Sequence, residues 1–177
     1  MTLTLAIDTA TSRTIVGIID GDNVLFEEFH EGATDHGRAL SELVARALKV
    51  SRPPQQVVVG MGPGPFTGLR VGISFAHTFG LARNIPVIGV CSLDAIVVDQ
   101  SEYTVAIDAR RKEIYWARYK DGARIEGPSV NKPADVQGFI MDRYPDMKKL
   151  VSLSTSQSVT EPMYLRRPDA VPTAERS

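Results

Sequence analysis

Residues 56 to 84 constrain the fold most. A β-branched run from Gln56 to Val59 breaks at Gly60 into a glycine- and proline-rich loop, and a helical pattern follows from Gly68 to Arg83. A short buried strand that turns tightly into a helix is an α/β junction, with the helix N-terminus facing back toward the strand end. The unpaired N–H groups and positive dipole end of such a junction suit an anion or a partner's carboxylate, and a purely structural connection accounts for the same residues. It is not a Walker loop. Gly-Lys-Ser/Thr is missing, and Pro63 and Pro65 each remove a donor that a phosphate cradle would use.

Within the helix, Gly68, Gly72, Ala76 and Gly80 recur every fourth residue and line one nearly bare face. An interior glycine costs about 1 kcal/mol against alanine, so Gly72 and Gly80 together cost roughly 2 kcal/mol, which a closely approaching element must offset. That element lies either in this chain or in another.

A chain of 177 residues, 43% hydrophobic, is long enough for one sizeable domain or two small lobes. The net charge of -1 argues against a strongly basic nucleic-acid surface over the whole chain. Cys91 is the single cysteine, which excludes an intrachain disulfide and fits a reducing compartment, as a small core residue rather than a nucleophile. No stretch is long and apolar enough to span a membrane, and the N-terminus lacks the basic flank of a signal peptide, so a cytoplasmic protein is expected.

Three strands are expected over 3–8, 13–20 and 23–29, the last two joined by a hairpin at Asp20 to Asn23. A helix follows over 36–50, with Leu40, Leu43, Val44 and Ala47 on one face. After the glycine helix come a strand over 86–90 and a helix from Ser92 to about Asp99 with Ser92 as its cap. The second half has strands over 104–109, 113–120 and 124–130, a helix from Pro133 through Val136, Phe139, Ile140 and Tyr144, and a last strand over 149–153.

The two halves match. Leu5 to Asp8 and Val105 to Asp108 each end a first strand on an acidic residue, and each is followed by Asp-Gly and a helix pattern. Two such halves around a cleft resemble the duplicated ribonuclease-H-like architecture of the actin, sugar kinase and Hsp70 superfamily (ASKHA), an α/β fold, here with a shortened second lobe. The expected division is 1–100 for the first lobe, 101–165 for the second and 166–177 for a flexible tail.

The loop chemistry is thin. Asp8, Thr9 and Thr11 could place a hydrated cation beside a phosphate, but the counterpart, Asp108 to Arg111, carries neither glycine nor hydroxyl. Arginines such as Arg110 pair phosphates and a partner's carboxylates equally well. Asp8, Thr9, Thr11, Asp108 and Arg110 are therefore read as a vestigial nucleotide cleft. No two of His30, His36 and His77 have the spacing of a helical metal clamp, and no metal or cofactor is expected. No Gly-x-Ser-x-Gly elbow is present. Tyr115 and Tyr119 share one strand face and Trp116 takes the other, which reads as packing rather than base stacking.

Four blocks, AIDTATSRTIVGIID, GPGPFTGLRVG, IDARRKEIYWARY and PMYLR, resemble in order those of the TsaB (YeaZ) family, which usually read IDTS/T, GPGSFTGLRIG, IDARR/K-EVY and P-x-YLR. The resemblance runs to Arg166. Pro65 stands where the family usually has serine, and the stretch from Leu150 to Met163 looks shorter than in many relatives. The resemblance implies a non-catalytic scaffold subunit of the machinery that makes N6-threonylcarbamoyladenosine at position 37 of tRNA. It implies dimerisation with a TsaD homologue, contact with a TsaE homologue and tRNA reached through the complex; a surface that packs on a paralogue of similar fold also packs on a copy of itself, so a weak homodimer is expected when the chain is alone. The expected partner surface is Gly68, Leu69, Gly72, Ala76 and Gly80 of the second helix with His36, Leu40 and Leu43 of the first. The rival reading is an enzyme, a small ATP-dependent phosphotransferase or ATPase using Asp8 and Asp108.

Overall fold

Strands buried on both faces build the centre of the first sheet. In the computed structural model, which describes residues 2–166, β1 (Leu3–Asp8) is buried along its whole length. β2 (Arg13–Asp20) runs antiparallel to it and turns into β3 (Asn23–Glu31), a largely exposed edge strand. β4 (Gln56–Gly60) pairs parallel to β1 on its other side, Leu5 opposite Val57 and Ile7 opposite Val59, and β5 (Val87–Val90) continues in parallel. The resulting order, β5-β4-β1-β2-β3, is the ribonuclease-H-like one.

The two-residue period of β1 divides the core. Leu5 and Ile7 point toward α1 (His36–Ala47) and α2 (Phe66–Arg83), joining Leu40, Leu43, Leu69 and Ala76. Ala6 points the other way, with Ile15, Ile19 and Val58. α2 begins immediately after Pro65 and stops at Asn84, whose left-handed φ of 51° lets Ile85 N–H reach back to the Gly80 carbonyl.

The second sheet contains β6 (Glu102–Asp108), β7 (Ile114–Lys120), β8 (Ala123–Asn131) and β9 (Phe139–Ile140), in the order β8-β7-β6-β9. Tyr115 and Tyr119 share a face with Val105 and Ile107, packed on Cys91, Leu93 and Ile96; Trp116 lies on the other with Ala106, Ile114 and Val136. Tyr119 Oη donates to Asp94 Oδ1 at 2.8 Å, and Arg124 Nε lies 3.6 Å from the same oxygen. These contacts tie the second sheet to the segment that leaves the first.

Three expected elements differ. The helix from Ser92 to Asp99 is a single 3-10 turn, Ser92–Ala95, because the Ser92 hydroxyl turns into the core instead of capping, and Ile96 bridges to Pro145. The helix from Pro133 to Tyr144 is one 3-10 turn, Pro133–Asp135; Gly138 (φ 63°) and Asp142 (φ 58°) turn the chain left-handed on either side of Phe139–Ile140, which pairs parallel to β6. The strand over 149–153 is a helix, α3 (Met147–Leu153). Asp146 caps it by accepting from Lys149 N–H at 2.6 Å, and Met147, Leu150 and Leu153 form a helical face on the first sheet, opposite α1 and α2. β10 (Ser158–Val159) then adds antiparallel to β5. The expected tail beyond Arg166 lies outside the described residues.

Candidate functional site

The end of β1 meets the ends of β4 and β5, and Asp8 sits at that junction fully buried. Its Oδ1 accepts from Ala10 N–H at 2.9 Å, and its Oδ2 accepts from the Ser92 hydroxyl at 2.6 Å. Ser92 Oγ in turn accepts from Gly62 N–H at 3.2 Å. Gly60 makes this possible, since a Cβ there would lie 1.8 Å from Asp8 Oδ2. Burial pushes the Asp8 carboxyl from its ordinary 3.8 up to about 6, against the lowering effect of the two hydrogen bonds. Asp8 is therefore a clamp across three strand ends, facing inward.

Thr9 also faces inward. Its hydroxyl donates to the Gly68 carbonyl at 2.7 Å and accepts from Gly72 N–H at 3.1 Å, inserted between two groups that are paired in a regular helix. The bare face of α2 is thus filled by this chain: a Cβ on Gly72 would lie 2.4 Å from Thr9 Oγ1, and one on Gly80 would lie 2.4 Å from Val87 Cγ2. Leu40, Leu43, Leu69 and Ala76 are at most 1% exposed. The surface expected on these residues is corrected accordingly. Their side chains serve the intrachain core.

The remaining cleft residues come together. Thr11, Pro65 and Arg110 line two adjoining cavities between the sheets. One, of about 100 Å³, adds Asp108, Arg143 and Tyr144. The other, of about 470 Å³, adds His36, Gly37, Phe66, Thr67, Gly68 and Val71. Arg110 Nη1 lies 3.5 Å from Asp108 Oδ2, and both side chains are exposed. Arg110, Arg111 and Lys112 form a run of left-handed residues, φ 64°, 52° and 63°, an arrangement that costs about 1 kcal/mol or more per residue.

His36 opens α1 and is 4% exposed. Its Nδ1 is 2.8 Å from Thr14 Oγ1. Burial, with smaller effects from Arg110 and His30 opposed by Asp35, holds the imidazole below its ordinary range. No group of three His, Cys, Asp or Glu side chains among the described residues is arranged to hold a metal ion. Structure thus joins Thr11, Asp108, Arg110 and His36 around one cleft and leaves Asp8 and Thr9 behind its wall. The Asp8–Ser92 pair was missed because 84 positions separate its members and neither lies in a local pattern.

A family model described as TsaD, tRNA N6-adenosine threonylcarbamoyltransferase, matches residues 30–170. An uncharacterized protein of Mycobacterium leprae is 42% identical over 204 residues, covering 97% of this chain and 57% of its own length. The tRNA threonylcarbamoyladenosine biosynthesis protein TsaB of Escherichia coli is 32% identical over 126 residues, covering 66% of this chain and 54% of its own. The chain thus spans little more than half the length of either relative. Among solved structures, an uncharacterized Pseudomonas aeruginosa protein with similarity to peptidase YEAZ superposes with a TM-score of 0.79 at 22% identity, covering 94% of this chain and 100% of that one. That likeness is one of fold.

Proposed function

Because this chain belongs to the TsaB/YeaZ branch of the tRNA N6-adenosine threonylcarbamoyltransferase family, we propose that it acts in tRNA threonylcarbamoyladenosine biosynthesis as a non-catalytic subunit that supports a TsaD homologue. The observation that carries the non-catalytic part is the orientation of Asp8. The rival enzymatic reading needs Asp8 to face the cleft, where it could hold a hydrated cation beside a phosphate. Here that carboxylate is spent on Ser92 and Ala10 behind the cleft wall. The counterpart, Asp108, is paired with Arg110.

The partner surface in this reading is the outward face of α2 with that of α1. Arg70, Ser74, His77 and Leu81 form an exposed stripe at helical spacing, and Leu81, at 85% exposure, is its one large apolar side chain. A paralogue of similar fold packs there; a second copy packs there weakly when the paralogue is absent; the TsaE homologue and tRNA are reached through the assembly. Co-expression with a TsaD homologue tests this. A one-to-one complex is expected, weakened by Ser74→Arg together with Leu81→Asp while the melting temperature of the isolated chain stays unchanged. A complex untouched by that double variant would place the interface elsewhere. ATP turnover by the isolated chain that survives repurification and is lost in Asp8→Ala would replace the scaffold reading with the enzymatic one.

A further inference from the structure

The larger cleft cavity collects the N-termini of both long helices. In α2 the first intrahelical bond runs from Leu69 N–H to the Pro65 carbonyl, and Pro65 offers no side-chain cap, so the N–H groups of Phe66, Thr67 and Gly68 have no helical acceptor. In α1 the first such bond is from Ala39 N–H to the Asp35 carbonyl, and Asp35 does not cap the helix either. Neither helix carries an acidic residue in its first turn. Two positive dipole ends therefore face one space of about 470 Å³.

His36 supplies the independent pointer to a ligand. The residue is 96% buried by its 4% exposure, its Nδ1 is engaged by Thr14, and Nε2 has no hydrogen-bond partner among the described residues. That nitrogen lies against the first turn of α2, where a Cβ on Gly68 would be 3.0 Å from it, and both residues line the cavity. In the tautomer in which the Thr14 hydroxyl donates to Nδ1, Nε2 carries the proton and is a donor into the cavity. Across the space stands Arg110, whose one ion pair among the described residues, at 3.5 Å to Asp108, leaves most of its fork of donors open. The other nearby carboxylate, Asp35, is paired with Arg38. Asp108 balances the charge of Arg110 and Arg38 that of Asp35, so the pull on an anion comes from the two helix N-termini, His36 Nε2 and the Arg110 N–H groups that Asp108 leaves open. Ala33, Phe66 and Val71 give its walls an apolar character.

We propose that this cavity binds a small phosphate monoester, its phosphoryl oxygens accepting from the α2 N-terminal amides, His36 Nε2 and Arg110, and its organic body lying against Phe66 and Val71. The left-handed turn at Arg110 to Lys112 holds the arginine in place for it. This site does not depend on the scaffold reading, and either can fail alone.

Calorimetric titration of the intact chain with phenyl phosphate and with inorganic phosphate, alongside amide NMR, tests the proposal. One-to-one saturable binding of both is expected, tighter for the phenyl ester, with phenol alone silent and the Thr67 and Gly68 amides shifting. Arg110→Gly, on an exposed turn whose φ glycine favours, weakens binding about tenfold or more, and so does His36→Asn, which keeps an acceptor for Thr14 while removing Nε2. If His36→Asn does not fold, Arg110→Gly alone decides. Absence of saturation, or affinity indifferent to Arg110→Gly, overturns the site. A short RNA that binds with the same dependence on Arg110, while phenyl phosphate does not bind, overturns the small-ligand assignment.

Discussion

Asp8→Asn separates the work of a buried acid from that of its shape. The carboxyl is fully buried, with a folded-state value of about 6 against 3.8 when free. A shift of roughly two units corresponds to about 3 kcal/mol. Because the folded value is raised, the folded chain holds the proton more tightly than the unfolded one. Stability from this group is fully present below pH 3.8 and is lost as pH rises through about 6. Asparagine keeps an acceptor for Ala10 N–H and can donate to Ser92 Oγ, yet carries no charge. The variant is therefore expected to gain on the wild type by about 2–3 kcal/mol between pH 4 and pH 7. Urea unfolding of both proteins across that range measures the difference directly, and taking the difference cancels the opposing titration of His36, whose value is lowered by burial. A stability difference that stays flat over the range would refute the reasoning, because it would mean that Asp8 ionises in the fold without penalty.

Other expectations follow from the same contacts. Gly72→Ala drives a Cβ against Thr9 Oγ1 and is expected to cost about 1–3 kcal/mol, with Thr9→Ala added in a double variant recovering part of the loss; strict additivity in thermal unfolding would deny the contact. Gly72→Leu is expected to abolish soluble folded protein rather than release a folded monomer from a complex, as expression and size-exclusion chromatography would report. Tyr119→Phe leaves Asp94 with its arginine contact alone and is expected to destabilise by about 1–3 kcal/mol in chemical denaturation. The Cys91 thiol, pushed up to about 12 chiefly by burial, is expected to resist alkylation at pH 8 until the chain is unfolded.

Much of the first half was legible because its strands alternate or run apolar and its helices carry a face, patterns that survive in linear order. β1, β2 and β4 start where the periodicity puts them, and the Asp20 to Asn23 hairpin turns where its residues allow. The second half was harder for a physical reason. Phe139 and Ile140 fit a helical face with Val136, yet parallel pairing to β6 and left-handed turns at Gly138 and Asp142 override that local preference. The run 149–153 is too short for its period to choose between strand and helix, and the deciding signal was Asp146, a cap three residues before Lys149. Of the candidate site, Arg110, Asp108 and Thr11 were legible as loop residues at strand ends. The direction of Asp8 was not, since it depends on Gly60 at the end of β4 and Ser92 in the turn after β5.

The central claim, a non-catalytic subunit that works through a paralogue, is tested most directly by threonylcarbamoyl transfer to tRNA in a reconstituted system, with a TsaD homologue, a TsaE homologue and a threonylcarbamoyl-adenylate source held constant. The account predicts no transfer by this chain without the TsaD homologue, little by that homologue without this chain, and full transfer with both, undiminished when this chain carries Asp8→Asn. Transfer that proceeds equally well without this chain, or that collapses with Asp8→Asn in a folded protein, would contradict it.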